Sequence, residues 1–151
     1  MPTPPSNLKD LLALHEGRVP HAYEDSLGYV TIGIGHLIDK RKGGSLPDHI
    51  IDALFDWDLK IHREALLRHQ PWVAYLDEVR KAVLIDMTFN MGEEPFDNDN
   101  IKDWPNFIRQ VKGGDYKAAA ANMRSTTWAT QVKGRADRLA TMMETGEWPH
   151  A

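Results

Sequence analysis

The sequence predicts an α+β protein: a small antiparallel β lobe beside a larger helical lobe, joined by one long helix, with a cleft between them. Three observations carry this. Between Ala22 and Leu37 helically spaced leucines give way to β-branched, aromatic and glycine residues. Beyond residue 46 the apolar spacing is helical almost to the end of the chain. One helical stretch, from about 46 to 69, is long enough to leave a small lobe and reach another. The chain has 151 residues, 42% of them hydrophobic, enough for one real core that buries roughly two-thirds of the unfolded surface. Residues 1–151 therefore read as one domain, with a β lobe at about 17–45, a helical lobe at about 70–148 plus an N-terminal helix at 7–15, and the connecting helix between.

Taken in order, a Pro-rich leader is followed by Ser6, a candidate N-cap, and by Leu8, Leu11, Leu12 and Leu14 at helical spacings. Gly17 supplies the stop. Glu16 thereby falls at the C-terminal end of a helix, where the macrodipole disfavours an anion, a useful place for an acid. Asp25-Ser26-Leu27-Gly28 has turn chemistry, and Tyr29-Val30-Thr31-Ile32 is a strand followed by Gly33 and Gly35, where backbone approaches something closely. The glycine spacing fits neither a dinucleotide fingerprint nor a P-loop.

A basic, Gly-rich connector (40–44) leads to Ser45-Leu46-Pro47-Asp48, a helix start, and Pro71 ends the helix. His49, His62 and His69 on it have no metal-binding spacing and read as surface residues. From Leu76 to Met91 the chain is apolar nearly all round, as in the centre of a bundle, with Asp86 as a carboxylate that needs a partner. An acidic loop follows to Asp103, then helical pieces at 104–112, 116–123, 126–131 and 134–143. Trp104, Trp128 and Trp148 read as core anchors.

The formal net charge of −4 argues against nucleic acid as a partner. Residues 93–103 carry five acids against one lysine, and 124–138 carry four cations against Asp137, so the basic patch lies late in the chain. There is no cysteine, hence no disulfide framework and no thiolate metal site. The N-terminus has neither a basic nor an apolar leader region, and no apolar run is long enough for stable membrane insertion.

Glu16-Gly17 and the run from Tyr23 to Leu37 resemble the signature of the T-even-phage-type lysozymes, the endolysins of glycoside hydrolase family 24. The likeness extends to Phe89-Asn90-Met91-Gly92-Glu93, to Trp128-Ala129-Thr130-Gln131 and to Gly134-Arg135-Ala136-Asp137-Arg138, and so covers almost the whole chain. It implies a lysozyme-like fold and a muramidase that cuts the β-1,4 bond between N-acetylmuramic acid and N-acetylglucosamine without cofactor or metal. Such a reaction needs one carboxyl to protonate the glycosidic oxygen and another to activate water. The resemblance makes Glu16 the acid and Asp25 the second carboxylate, with Thr31 holding the water, and it implies inversion at the anomeric carbon.

Softer implications follow from the same resemblance. Leu37, Phe89 and Asn122 would line the saccharide cleft, Arg135 would pair with the catalytic Glu, and His36 with Asp58 would form a structural ion pair. Asp86 stands where other members have an amide and is placed to reach Arg135. Family habit further implies a monomer made in the host cytoplasm and released to the periplasmic peptidoglycan by a holin. A lytic transglycosylase would need only one catalytic Glu, and a non-catalytic wall-binding module would be expected to have lost one of Glu16, Asp25 and Thr31. The acidity of the chain is unusual for an enzyme with a negatively charged substrate.

Overall fold

A computed structural model describes residues 5, 7–39, 46–92, 96 and 104–149. The expected cap at Ser6, the connector 40–44 with Ser45, and all of the acidic stretch 93–103 except Phe96 lie outside the described residues. The chain divides into two compact units, Met1–Ala53 and Leu54–Ala151. It is mostly helical with one small antiparallel sheet, the α+β architecture expected of a lysozyme-like fold.

The first unit opens with α1, Leu8–Glu16. Its N-cap is Asn7, whose side chain accepts from the Asp10 amide, and the Gly17 amide closes the last turn on Ala13. Three strands follow: β1, Val19–Glu24; β2, Val30–Gly33; and β3, His36–Asp39. They pair antiparallel in the order β1-β2-β3, with Tyr23 opposite Thr31 and Thr31 opposite Leu37. Both ladders carry an irregularity, one between Val19 and Tyr23 and one between Val30 and Thr31. Helix α2, Asp48–His69, has its acid in the first turn and Arg68 and His69 in the last, matching the helix dipole at both ends.

The second unit holds the hydrophobic core. A 3-10 turn, Pro71–Tyr75, leads into α3, Glu78–Met91, with Val83, Leu84 and Met87 fully enclosed. Helices α4 (Pro105–Lys112), α5 (Tyr116–Arg124), α6 (Thr127–Val132) and α7 (Gly134–Thr145) contribute buried residues to the same core cluster. Trp104 packs edge-on against both Phe107 and Trp128, so two of the three expected tryptophan anchors are core. Trp148 is not: it lies beyond the end of α7 and is 58% exposed, outside the reach of the cluster that buries the other two. Gln70 is buried, yet its amide donates to the Phe96 carbonyl and accepts from the Trp72 indole, so its polar groups are satisfied.

Arg80 ties α3 to the end of α7. Its Nε donates to the Met143 carbonyl at 2.7 Å and a terminal nitrogen donates to that of Glu144 at 3.0 Å, while the guanidinium lies 3.7 Å over the Tyr116 ring. These bonds satisfy carbonyls that the helix itself leaves without partners. Gly146 follows at φ +73°, and a Cβ there would stand 2.7 Å from the guanidinium. The left-handed conformation favours glycine there, and any Cβ would also push the guanidinium aside.

Candidate functional site

The residues expected to carry chemistry fall in both units. Glu16, Asp25, Thr31, His36 and Leu37 lie in the first, and Asp58, Asp86, Phe89, Asn122 and Arg135 in the second.

Glu16 is the last residue of α1, and its side chain is exposed. The turn between β2 and β3 approaches it so closely that a Cβ on Gly35 would come within 2.8 Å of Glu16 Oε2. Gly35 also has φ +67°, so the bare backbone here is needed both for the turn and for the room it leaves the carboxyl. This accounts for one of the glycines expected to mark a close approach.

Asp25 follows β1 directly. Its backbone amide donates to the Tyr29 carbonyl at 2.9 Å, and the Gly28 amide donates back to the Asp25 carbonyl at 2.9 Å, closing a tight turn. The side chain then folds over that turn: Oδ1 accepts from the amides of Leu27 (2.8 Å) and Tyr29 (2.9 Å). This is an Asx-type arrangement, the reason Asp suits the first position of such a turn. Oδ2 accepts no hydrogen bond among the described residues.

Thr31 is the sole buried residue among the described residues of the first unit, 4% exposed. Its hydroxyl donates to the Tyr29 carbonyl at 3.2 Å, the oxygen that also takes the Asp25 amide. With its proton committed, the hydroxyl faces any further partner as an acceptor. Leu37 sits half-buried opposite Thr31 on β3, and His36 is exposed at the start of that strand.

In the second unit Asp86 and Arg135 meet. Asp86 Oδ1 accepts a hydrogen bond from Arg135 Nε at 2.8 Å, a terminal nitrogen of Arg135 stands 2.8 Å from the same oxygen as an ion pair, and the Asp86 carbonyl accepts a weaker bond from that nitrogen at 3.4 Å. Lys133, two residues earlier, joins α6 to α7 with φ +48°, the sole non-glycine residue with positive φ among the described residues. A lysine held in that region costs energy and fixes the direction in which α7, and with it Arg135, starts.

Phe89 is half-buried on α3, against the rings of Phe55 and His62. His62 therefore departs from the surface reading, as does His69, which is half-buried; His49 alone of the three is exposed. The Asn122 amide donates to the Gln110 side chain at 3.2 Å. Asn90, not singled out from sequence, accepts from the Trp128 indole at 2.8 Å; its position directly after Phe89 in the matching motif was the available signal.

A mostly helical chain with a small three-stranded antiparallel sheet has the architecture of a lysozyme-like α+β protein. A family profile for phage lysozyme matches residues 13–143, and the chain belongs to that family. It is 30% identical to probable T4-type lysozyme 1 and 28% identical to probable T4-type lysozyme 2, both of Dictyostelium discoideum, in each case over 93% of this chain and 95% of the relative. It is also 27% identical to the pre-baseplate central spike protein Gp5 of Enterobacteria phage T4, over 95% of this chain but 28% of that protein. The chain is accordingly a glycoside hydrolase of the lysozyme type, with peptidoglycan as its substrate. Among the described residues no helix is long and apolar enough to cross a membrane.

Proposed function

We propose that the chain is a muramidase of the endolysin type, which hydrolyses the β-1,4 bond from N-acetylmuramic acid to N-acetylglucosamine with inversion. Glu16 is the general acid, and Asp25 with Thr31 holds the attacking water. The observation that carries this reading is the hydrogen-bond pattern on the β1-β2 turn. Two backbone amides fix Asp25 Oδ1 and leave Oδ2 open among the described residues, and the Tyr29 carbonyl takes the Thr31 proton. In this reading one water donates one hydrogen to Asp25 Oδ2 and the other to Thr31 Oγ1, leaving a lone pair for the sugar carbon.

In the reaction Glu16 gives its proton to the glycosidic oxygen as the bond to the muramic acid C1 breaks. The water oxygen bonds to C1 from the opposite face and loses a proton to Asp25. Products are a new muramic acid reducing end and a free 4-hydroxyl on the glucosamine; solvent exchange then reprotonates Glu16 and deprotonates Asp25. An inverting mechanism of this type calls for carboxyl groups roughly 6.5–9.5 Å apart. Leu37, Phe89 and Asn122 are the sugar-contacting residues of the reading. Its biological setting is lysis of a bacterial host by a monomer that a holin releases to the wall.

The test compares wild type with Glu16→Gln on purified peptidoglycan, following new reducing ends and identifying chain termini by mass. The expected result is muramic acid reducing ends from wild type and none from a folded variant. Anhydro-muramic termini would instead mean transglycosylation, and an active Glu16→Gln would remove Glu16 from the mechanism.

A further inference from the structure

Two rings from α2 hold Phe89. The Phe55 ring meets it edge-on with centroids 6.0 Å apart, and the His62 imidazole lies 5.1 Å away, tilted by 57°. Residues 55 and 62 are seven positions apart, about two helical turns, so both project from one side of α2. The Phe89 ring is gripped between them. Beside it opens a groove of about 380 Å³, which it lines together with Arg63, Ile85, Asp86 and Arg135. His62 itself fronts a different groove, with Ile61, Glu64 and Arg68. The imidazole thus packs against Phe89 while also bordering that second groove.

We propose that His62 is a positioning residue for saccharide binding. With Phe55 it holds the Phe89 ring in the orientation in which the remaining surface of that ring meets the apolar face of an N-acetylhexosamine. This rests on the reading of Phe89 as a sugar contact. An aromatic side chain that must be immobilised on binding weakens affinity by the rotamer freedom it loses. Here that freedom is already removed by contacts within the protein. His62 touches no reacting atom in this arrangement, so its effect falls on KM and leaves kcat alone.

The test is steady-state kinetics of the full chain on solubilised, uncross-linked peptidoglycan strands, with thermal unfolding recorded for each variant. Phe89→Ala serves as the reference for the saccharide reading. His62→Ala is expected to raise KM roughly three- to tenfold with kcat within about twofold of wild type, and His62→Phe is expected to restore KM. If Phe89→Ala raises KM while His62→Ala does not, His62 has no positioning role. If Phe89→Ala leaves KM unchanged, the sugar contact itself is wrong and the proposal falls with it. Should His62→Ala unfold at the assay temperature, His62→Leu and His62→Phe decide the matter: equal KM values for the two overturn the proposal, and a higher value for the leucine variant alone upholds it.

Discussion

The Asp25 amide and the Thr31 hydroxyl donate to a single acceptor, the Tyr29 carbonyl, at 2.9 and 3.2 Å. The Asp25 backbone and the Thr31 hydroxyl are therefore tied to one peptide group of the turn. Thr31→Val keeps the shape and leaves that carbonyl its bond from Asp25, so the fold should be retained. Loss of the water-holding oxygen is expected to lower kcat on the order of a hundredfold or more. A folded valine variant with more than a tenth of wild-type kcat would show that the hydroxyl holds no water.

Gly35→Ala introduces a methyl 2.8 Å from Glu16 Oε2 at a residue with φ +67°. The left-handed backbone alone costs roughly 1–2 kcal/mol for a residue with a Cβ, which lowers Tm by about 2–8 °C in a chain of this size. The displaced Glu16 carboxyl is expected to lower kcat beyond what the loss of stability explains. Wild-type kcat at a temperature where the variant is fully folded would mean that the carboxyl tolerates the shift.

Asp86 and Arg135 are 40% and 36% exposed, so their ion pair is screened and contributes no more than about 1 kcal/mol. Asp86→Asn keeps an oxygen for the guanidinium but removes the charge that neutralises it. Stability should change little, whereas KM for anionic peptidoglycan should fall at low ionic strength, with the difference disappearing near 1 M salt. Identical KM values at low salt would show that the Arg135 charge is not sensed by the substrate.

Asp77 caps α3 by accepting from the Arg80 amide, and it pairs with the Arg80 guanidinium at 3.1 Å. Burial works to raise its pKa, but the amide and guanidinium of Arg80 outweigh burial and hold the carboxyl below its ordinary value. A group lowered in this way stabilises the fold fully above the ordinary carboxylate range and loses that contribution as pH falls through its own lowered value. Asp77→Ala is expected to cost about 1 kcal/mol at pH 7. The gap from wild type should narrow as pH drops below about 4; a gap that stays constant down to pH 2 would assign the effect to packing.

Helix stops were legible because they are local. Gly17 closes the first helix where it stands in the sequence. The turn at residues 25–28 was legible for the same reason: Asp and Gly occupy the positions that its hydrogen bonds require. The 3-10 turn Pro71–Tyr75 was not, since five residues are too few to show a period. At the first helix Ser6 and Asn7 are both good caps, and only the bond to the Asp10 amide separates them. The contact of His62 with Phe89 and that of Trp128 with Asn90 join residues 27 and 38 positions apart, through packing that no local pattern encodes. Trp148 was misjudged because tryptophan is ordinarily enclosed, and its place after the last helix removes the neighbours that would enclose it.

The clasp of Arg80 on the last turn of α7 also orders events during synthesis. Its acceptor at Met143 is added 63 residues after it, a delay of roughly 3–13 s at ordinary rates of chain elongation. Through that interval α3 can form while its arginine waits without the carbonyls it will finally hold. A chain cut short of residue 143 would hold the sequence of most of its helices but none of the carbonyls that this arginine clasps.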